Sequence, residues 1–444
     1  MTATRHVLIL GAGLGGPCLA LSLARQNIRS TIFEIRSGRV DSGGSISLGP
    51  NGLRVLDRYA GIYDRIKSIG YIYNRFSAYS EEGEKFGEIL AGEEDKGEDG
   101  YPAVRLMRPD LNKTLLDAAE QSGMVDIKYG AKMTRIEEDD AGVTAYFEDG
   151  SNVKGASFPL ALAVFLLLFV FYTSHPCWVL ANHCLTGDIL IGADGIHSKA
   201  REHILGTDSP EPIYSGINIV NGFLPAASVA DTSADFSFPA FMFTSSGMLM
   251  TIPIDPEAKT LSWGINKVAA ERTRDELREF ERSGDAVRSA KSDYDGVQTP
   301  AVRALLDKAD DSKSRLWAPY SIPDLPKWHS SRVCLIGDAA HALPPNGLGA
   351  SIAFEDAAIL TRLLTSESMG GYETIFSRFE AIRRPRIAGL RETSKKSETV
   401  KGQSGPWVWW LKKWMFRGFF WWNSGVVNFA KQTHYDVDEV NLEA

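Results

Sequence analysis

The sequence predicts an α/β protein: a βαβ nucleotide-binding domain, a second α+β domain inserted into it, and an aromatic-rich helical tail. Three observations carry that expectation. Gly11-Ala12-Gly13-Leu14-Gly15-Gly16 stands between a short apolar run and a helical pattern. Two later apolar runs, residues 188–191 and 333–336, each end in a turn with an aspartate, Gly192-Ala193-Asp194-Gly195 and Gly337-Asp338. Between those turns, residues 210–325 change character and read as successive strands and helices.

Residues 7–10 form an apolar run short enough for a buried strand. Residues 17–26 read as a helix, and residues 30–33 as a second strand ending in Glu34. GxGxxG is informative only in this context: strand before, helix after, and an acid about 20 positions on. Gly11 allows the tight turn, Gly13 lets a pyrophosphate approach the backbone, and Gly16 lets helix and strand pack closely. Glu34 can accept hydrogen bonds from ribose hydroxyls. The motif alone does not distinguish FAD from NAD.

Gly43-Gly44-Ser45-Ile46-Ser47-Leu48 leads through Pro50 into a helix. Residues 81–100 are acidic and Gly-rich, which predicts a solvated hairpin or loop. Arg105-Leu106-Met107-Arg108-Pro109-Asp110 precedes a helix over 111–121. An arginine there can reach a phosphate or a flavin edge, or form a surface salt bridge. Residues 143–147 and 151–154 flank Glu148-Asp149-Gly150, a hairpin signal. Strands are predicted over 217–224, 236–244, 248–254 and 260–265, and helices over 270–283, 301–309 and 376–391. The turn after residue 336 is followed by a proline- and glycine-containing loop and a helix. Strand, Gly-rich turn and helix form an anion site, because first-turn N–H groups lack intrahelical acceptors and the dipole favours negative charge.

Composition narrows the classes. The 444 residues suffice for two or three domains, and 44% apolar with 23% charged residues is ordinary for a globular protein. The net charge is −8 and no long basic run occurs, which argues against a nucleic-acid partner. Cys18, Cys177, Cys184 and Cys334 show no metal spacing, so no metal is expected, and a reducing, cytoplasmic setting is. The amino terminus shows no signal-peptide pattern.

The three motifs in this order resemble the class A FAD-dependent monooxygenases of the para-hydroxybenzoate hydroxylase fold, and more narrowly their fungal secondary-metabolism branch. The resemblance runs from His6 to about Arg391. It implies FAD and NADPH as cofactors, with O2 and a small organic molecule as substrates. It implies hydroxylation or epoxidation of an aromatic polyketide or terpenoid type of intermediate through a flavin C4a-hydroperoxide. Gly11, Gly13, Gly16 and Glu34 would hold the ADP half of FAD. Gly44 would join the cofactor contacts, and Arg108, at the family's Arg-x-x-Leu position, would reach the flavin side. Asp338 would bind the ribityl chain. Gly349 and Ala350 would present N–H groups to the flavin edge that gains negative charge. Asp194 and Arg201 would serve FAD and transient NADPH contacts. Arg201 and Tyr214 are candidate substrate-activating residues, while His341 reads as structural. The cofactor domain would comprise residues 1–75, 100–207 and 326–400, and the substrate domain 76–99 and 208–325.

Two departures from the family pattern stand out. Leu348 and Ser351 occupy the family's Gln and Asn positions after Gly337-Asp338. Residues 156–187 interrupt the chain, and 155–187 carry no Asp, Glu, Lys or Arg. A spanning helix needs about 20 apolar residues. The apolar run 158–172 is shorter, holds Pro159, and would divide one nucleotide-binding sheet across a bilayer. A surface-anchoring hairpin or buried insertion is the second reading. The favoured one is a translated, unspliced intron. Ala181-Asn182 can be encoded by a branch-point-like GCTAAC, and Thr186-Gly187 by an acceptor-like ACAG. Excision restores the family pattern by joining Gly155 to Asp188. An insertion-impaired flavoprotein or binding scaffold, a reductase and a halogenase are the alternatives, although Trp263 stands alone without a halogenase-like motif. Residues 406–423 hold six of the ten tryptophans, with Lys412, Lys413 and Arg417 among them. That mixture suits a peripheral membrane contact or a helix packed on the protein.

Overall fold

The structure, a computed structural model, describes residues 6–41, 43–154, 188–229, 236–297, 299–310, 314–366, 370–401, 404–428 and 430–443. The insertion, on which the intron and membrane readings fall, lies outside the described residues. No helix among the described residues is long and apolar enough to cross a membrane.

A five-stranded parallel sheet forms one centre. Its order is Val333–Leu335, Ile189–Gly192, His6–Leu10, Arg29–Glu34 and Val125–Tyr129. The middle strands are buried almost throughout, which is why they read as continuous apolar runs. The three motif-bearing strands are immediate neighbours, so their glycine turns open at one end of the sheet. Ligands of open α/β sheets bind at that end. Helix Gly15–Ala24 packs against helices Arg108–Gln121 and Gly349–Thr365.

An eight-stranded sheet forms the second centre, in the order Arg315–Trp317, Ile217–Pro225, Thr260–Val268, Gly247–Pro253, Ala240–Thr244, Arg75–Ser80, Lys85–Leu90 and Val426–Asn428. Alternation along Ile217–Pro225 puts Val220 and Leu224 into a core with Ala286, Val287, Val302 and Leu305 of the covering helices. Elsewhere Phe241, Met250 and Ile252 pack with Tyr73 and Phe76. They thereby meet a small antiparallel sheet of Ser45–Leu48, Ala103–Met107 and Tyr71–Tyr73.

Of the solvated hairpin or loop predicted for residues 81–100, the hairpin is present, Lys85–Leu90 returning antiparallel on Arg75–Ser80, but the stretch is not wholly solvated. Lys85–Leu90 is a paired strand, and Glu93 is buried against Arg54 at 2.7 Å and Lys96 at 2.9 Å. Two cations let the acid leave water. The basic helix is longer than predicted, Tyr372–Lys401. In the tail, helix Pro406–Trp422 buries Trp409 and Phe420 against Phe86 and Phe243. Lys413 and Arg417 pair with Glu82 and Glu84 of the adjoining hairpin. The outward face is left apolar, with Trp407, Trp410, Trp414, Trp421 and Trp422 exposed.

Candidate active site

The glycine turns are held together by close backbone approaches. Gly11 has φ +100°, and a Cβ there would lie 2.4 Å from the Ala193 carbonyl oxygen. Gly16 is as tight, because its Cβ would lie 2.1 Å from the Gly11 carbonyl oxygen. Gly13 faces open space, with nothing within 4 Å of a Cβ. Glu34 is buried, and its carboxylate accepts from the Ala12 N–H at 2.9 Å and the Arg36 N–H at 3.0 Å. Asn112 braces the same loop by donating to the Ala12 and Gly13 carbonyls.

Asp194 caps the next helix, accepting from the Lys199 N–H at 2.7 Å with one oxygen. Its other oxygen is buried with no hydrogen-bond partner among the described residues. Burial raises the Asp194 carboxyl, against bonds from Ser198, Ala200 and Lys199 that lower it. Arg201 donates to the Ala339 carbonyl at 3.1 Å and the Ile196 carbonyl at 2.6 Å. It thereby ties the second turn to the third. Tyr214 stands apart on a short ribbon with Tyr320, its hydroxyl donating to Asn218 at 2.9 Å.

Asp338 stays solvent-accessible inside a cleft walled by protein. The walls raise its carboxyl, while His341 and Arg108 pull it down. Arg108 is likewise accessible and makes no side-chain hydrogen bond or ion pair among the described residues. Burial lowers its guanidinium, opposed by the charge of Asp338. Its backbone N–H donates to the Gly44 carbonyl at 3.0 Å, which joins Gly44 to the cleft. Helix Gly349–Thr365 begins at the cleft loop, so Gly349 and Ala350 bring first-turn N–H groups there. Asn346 shapes that loop, accepting from the Leu348 N–H at 2.9 Å and donating to Ser394 at 2.9 Å.

Sequence reasoning missed what holds the third turn. Asp356 accepts from the Gly337 N–H at 2.8 Å, His341 at 2.7 Å and Arg383 at 2.7 Å. Glu355 accepts from Arg383 at 2.8 Å, Arg386 at 2.9 Å and Asn51 at 2.6 Å. The signal was present: two adjacent acids inside the apolar stretch 352–360 of that helix require buried cations. His341 thus braces Asp356.

These residues fit FAD. The orphaned Asp194 oxygen is an acceptor awaiting a donor, and Gly13, Gly347 and Gly349 line space that a Cβ would enter without contact. Arg108 is a free cation beside them. Gly11, Gly13, Gly16, Glu34, Gly44, Arg108, Asp194, Asp338, Gly349 and Ala350 surround this cleft or its walls; Tyr214 does not touch it.

Comparison with known proteins agrees. The sequence profile described as FAD binding domain matches residues 4–157 and 182–394, leaving only part of the insertion unmatched between them. The chain is 26% identical to 6-hydroxynicotinate 3-monooxygenase of Pseudomonas fluorescens, over 91% of this chain and 94% of that protein. It is also 26% identical to 6-methylsalicylate 1-monooxygenase of Aspergillus terreus, over 82% of this chain and 76% of that one. A Klebsiella pneumoniae HpxO variant complexed with FAD shares the fold, with a TM-score of 0.69 at 22% identity, covering 95% of this chain and 94% of that one.

Proposed function

The chain belongs to the FAD-binding-domain family of flavin monooxygenases, and from that premise we propose that it adds one oxygen atom from O2 to a small secondary-metabolite intermediate, with NADPH as reductant. The protein is an FAD-dependent monooxygenase. The proposal extends this to a fungal secondary-metabolism substrate of aromatic polyketide or terpenoid type, in the cytoplasm. The Aspergillus relative supports that extension. Hydroxylated aromatic acids are the substrate class that the relatives' names bring to this chain.

The observation that carries the reading is the convergence of three glycine turns at one end of the parallel sheet, with Asp338 and Arg108 beside them. FAD, when bound, supplies the electrons and the activation of O2. The chain's part is positional and electrostatic. Asp338 accepts from cofactor hydroxyls. The Gly349 and Ala350 N–H groups would stabilise negative charge at the cofactor's edge. Residues 76–99 and 208–325 would form most of the wall that faces the substrate. Arg201 acts by holding two turns in register, and Tyr214 contributes through Asn218 at the base of the substrate sheet.

Turnover with NADPH and isotopic O2 tests the proposal on hydroxybenzoates and methylsalicylates. The expected product carries one labelled oxygen. NADPH oxidation that yields only hydrogen peroxide from every compound would count against it.

The outward apolar face of the tail helix supports a peripheral contact with a lipid interface. Because Lys413 and Arg417 are engaged inward, binding is expected to neutral phosphatidylcholine vesicles and to persist at high salt. Vesicle co-sedimentation checks this; a concentration-dependent dimer without vesicle binding would assign the face to a second copy.

A further inference from the structure

Arg105 lies in the middle strand of the small antiparallel sheet and is 9% exposed. No carboxylate pairs with it among the described residues. One Nη donates to the Ser47 hydroxyl at 3.0 Å and the other to the Ser45 hydroxyl at 2.7 Å. Its Nε is buried with no hydrogen-bond partner among the described residues. Burial lowers the guanidinium to about 10, so it remains charged at neutral pH. A buried cation that meets only neutral hydroxyls is a net cost to folding. Of the other buried arginines, Arg54 and Arg383 each have carboxylate partners, and Arg201 is met by the backbone carbonyls of Ala339 and Ile196.

Ser47 accepts from both Arg105 and Tyr73, the latter at 3.0 Å, and Ser45 accepts from Arg105. Each serine's own O–H is therefore left to donate. Register puts Ser47 and Tyr71 opposite Arg105, so these side chains share one face of the small sheet. Tyr71 and Tyr73 on that face pack with Phe76, Phe241, Met250 and Ile252 of the eight-stranded sheet. Gly44, whose carbonyl holds Arg108, lies with its Cβ position 3.9 Å from the Asn221 amide oxygen of that sheet. Arg105 thus sits beside the cofactor cleft, at an apolar and aromatic wall.

We propose that Arg105, with Ser45 and Ser47, is the anchor for an anionic oxygen group of the substrate, a carboxylate carried on an aromatic ring. The free Nε–H and the two serine hydroxyls supply three donors to the anion, and the ring lies against Tyr73, Phe76 and Met250. An anion there replaces water with the counter-charge the guanidinium lacks, and charge-assisted bonds are the strong ones. This rests on the monooxygenase reading given above and adds the residue that selects the substrate.

The test uses the flavin-loaded full chain and matched aromatic acids and amides: salicylate against salicylamide, and 6-methylsalicylate against its amide. Binding is read from perturbation of the flavin spectrum and turnover from NADPH oxidation. The expected result is at least a tenfold preference of the wild type for acids. Arg105→Gln should weaken acid binding tenfold or more, change amide binding less than twofold, and leave flavin content intact. Arg105→Lys should recover part of the acid affinity. If Arg105→Gln misfolds, the wild-type acid preference and Ser45→Ala still decide: Ser45→Ala should weaken acids selectively. A wild type indifferent to the carboxylate overturns the anchor. So does an Arg105→Gln protein that folds but loses flavin, since that would make Arg105 a cofactor contact. A yellow protein that oxidises NADPH but ignores the acids sinks only the anchor. A protein that never binds flavin sinks the underlying reading.

Discussion

Arg383→Leu is expected to cost about 3–5 kcal/mol, lowering the unfolding midpoint by about 3–5 °C. Arg383 is fully buried and bridges Asp356 at 2.7 Å and Glu355 at 2.8 Å. Removing it leaves two acids buried beside each other with one cation fewer. Burial would raise the Asp356 carboxyl, but His341, Arg383 and the Gly337 N–H bring it below the usual carboxylate range. A depressed carboxyl contributes stability that is present above its unfolded value, about 3.9, and lost as pH falls further. In the variant the acids can escape by taking protons. The gap between wild type and variant should therefore narrow from pH 7 toward pH 4. Denaturant unfolding across that range checks the sign, and a gap that widens on acidification would refute the assignment. Flavin retention should fall as well, because Asp356 holds the Gly337 N–H in place.

Gly11→Ala is expected to abolish flavin binding, while Gly13→Ala should keep the fold and lose only the cofactor. At Gly11 the added methyl meets the Ala193 carbonyl oxygen at 2.4 Å and its carbon at 2.9 Å, on a backbone with φ +100°. Both obstacles are backbone atoms of the neighbouring strand's turn. Relief would have to separate two paired strands of the parallel sheet. At Gly13 nothing lies within 4 Å. A methyl there costs the apo fold little but occupies the space a pyrophosphate needs. The pair is read by flavin absorbance of the purified proteins alongside thermal unfolding. Equal thermal losses in both would show that Gly13 serves packing.

The parallel sheet and its glycine turns were legible because they obey local rules. A buried strand reads as an apolar run, and a close backbone approach demands glycine at Gly11 and Gly16. The strands around Ile217–Pro225 were legible by alternation. The small sheet and the return of the tail onto the strand Lys85–Leu90 were not. Their pairing is set by partners far along the chain: Lys85–Leu90 receives Val426–Asn428 more than 300 residues later. The acidic stretch looked solvated because Arg54, the counter-ion of Glu93, lies on a separate helix. Among site residues, the cofactor loops announced themselves by spacing. Arg105 did not, since its meaning lies in the absence of an acid nearby, which only three dimensions reveal. Tyr214 was chosen by position, and its hydroxyl proves to be engaged with Asn218 away from the glycine turns.

The most direct measurement is the anaerobic absorption spectrum of the purified full-length chain before and after NADPH. Flavin bands that bleach on NADPH addition are the expected result, and they would mean that the three turns assemble with residues 156–187 present. A colourless full-length chain whose form lacking 156–187 turns yellow would place the fault in that stretch alone, as an unspliced intron requires. If both forms stay colourless with FAD supplied, the cleft does not hold the cofactor, and the monooxygenase assignment is contradicted.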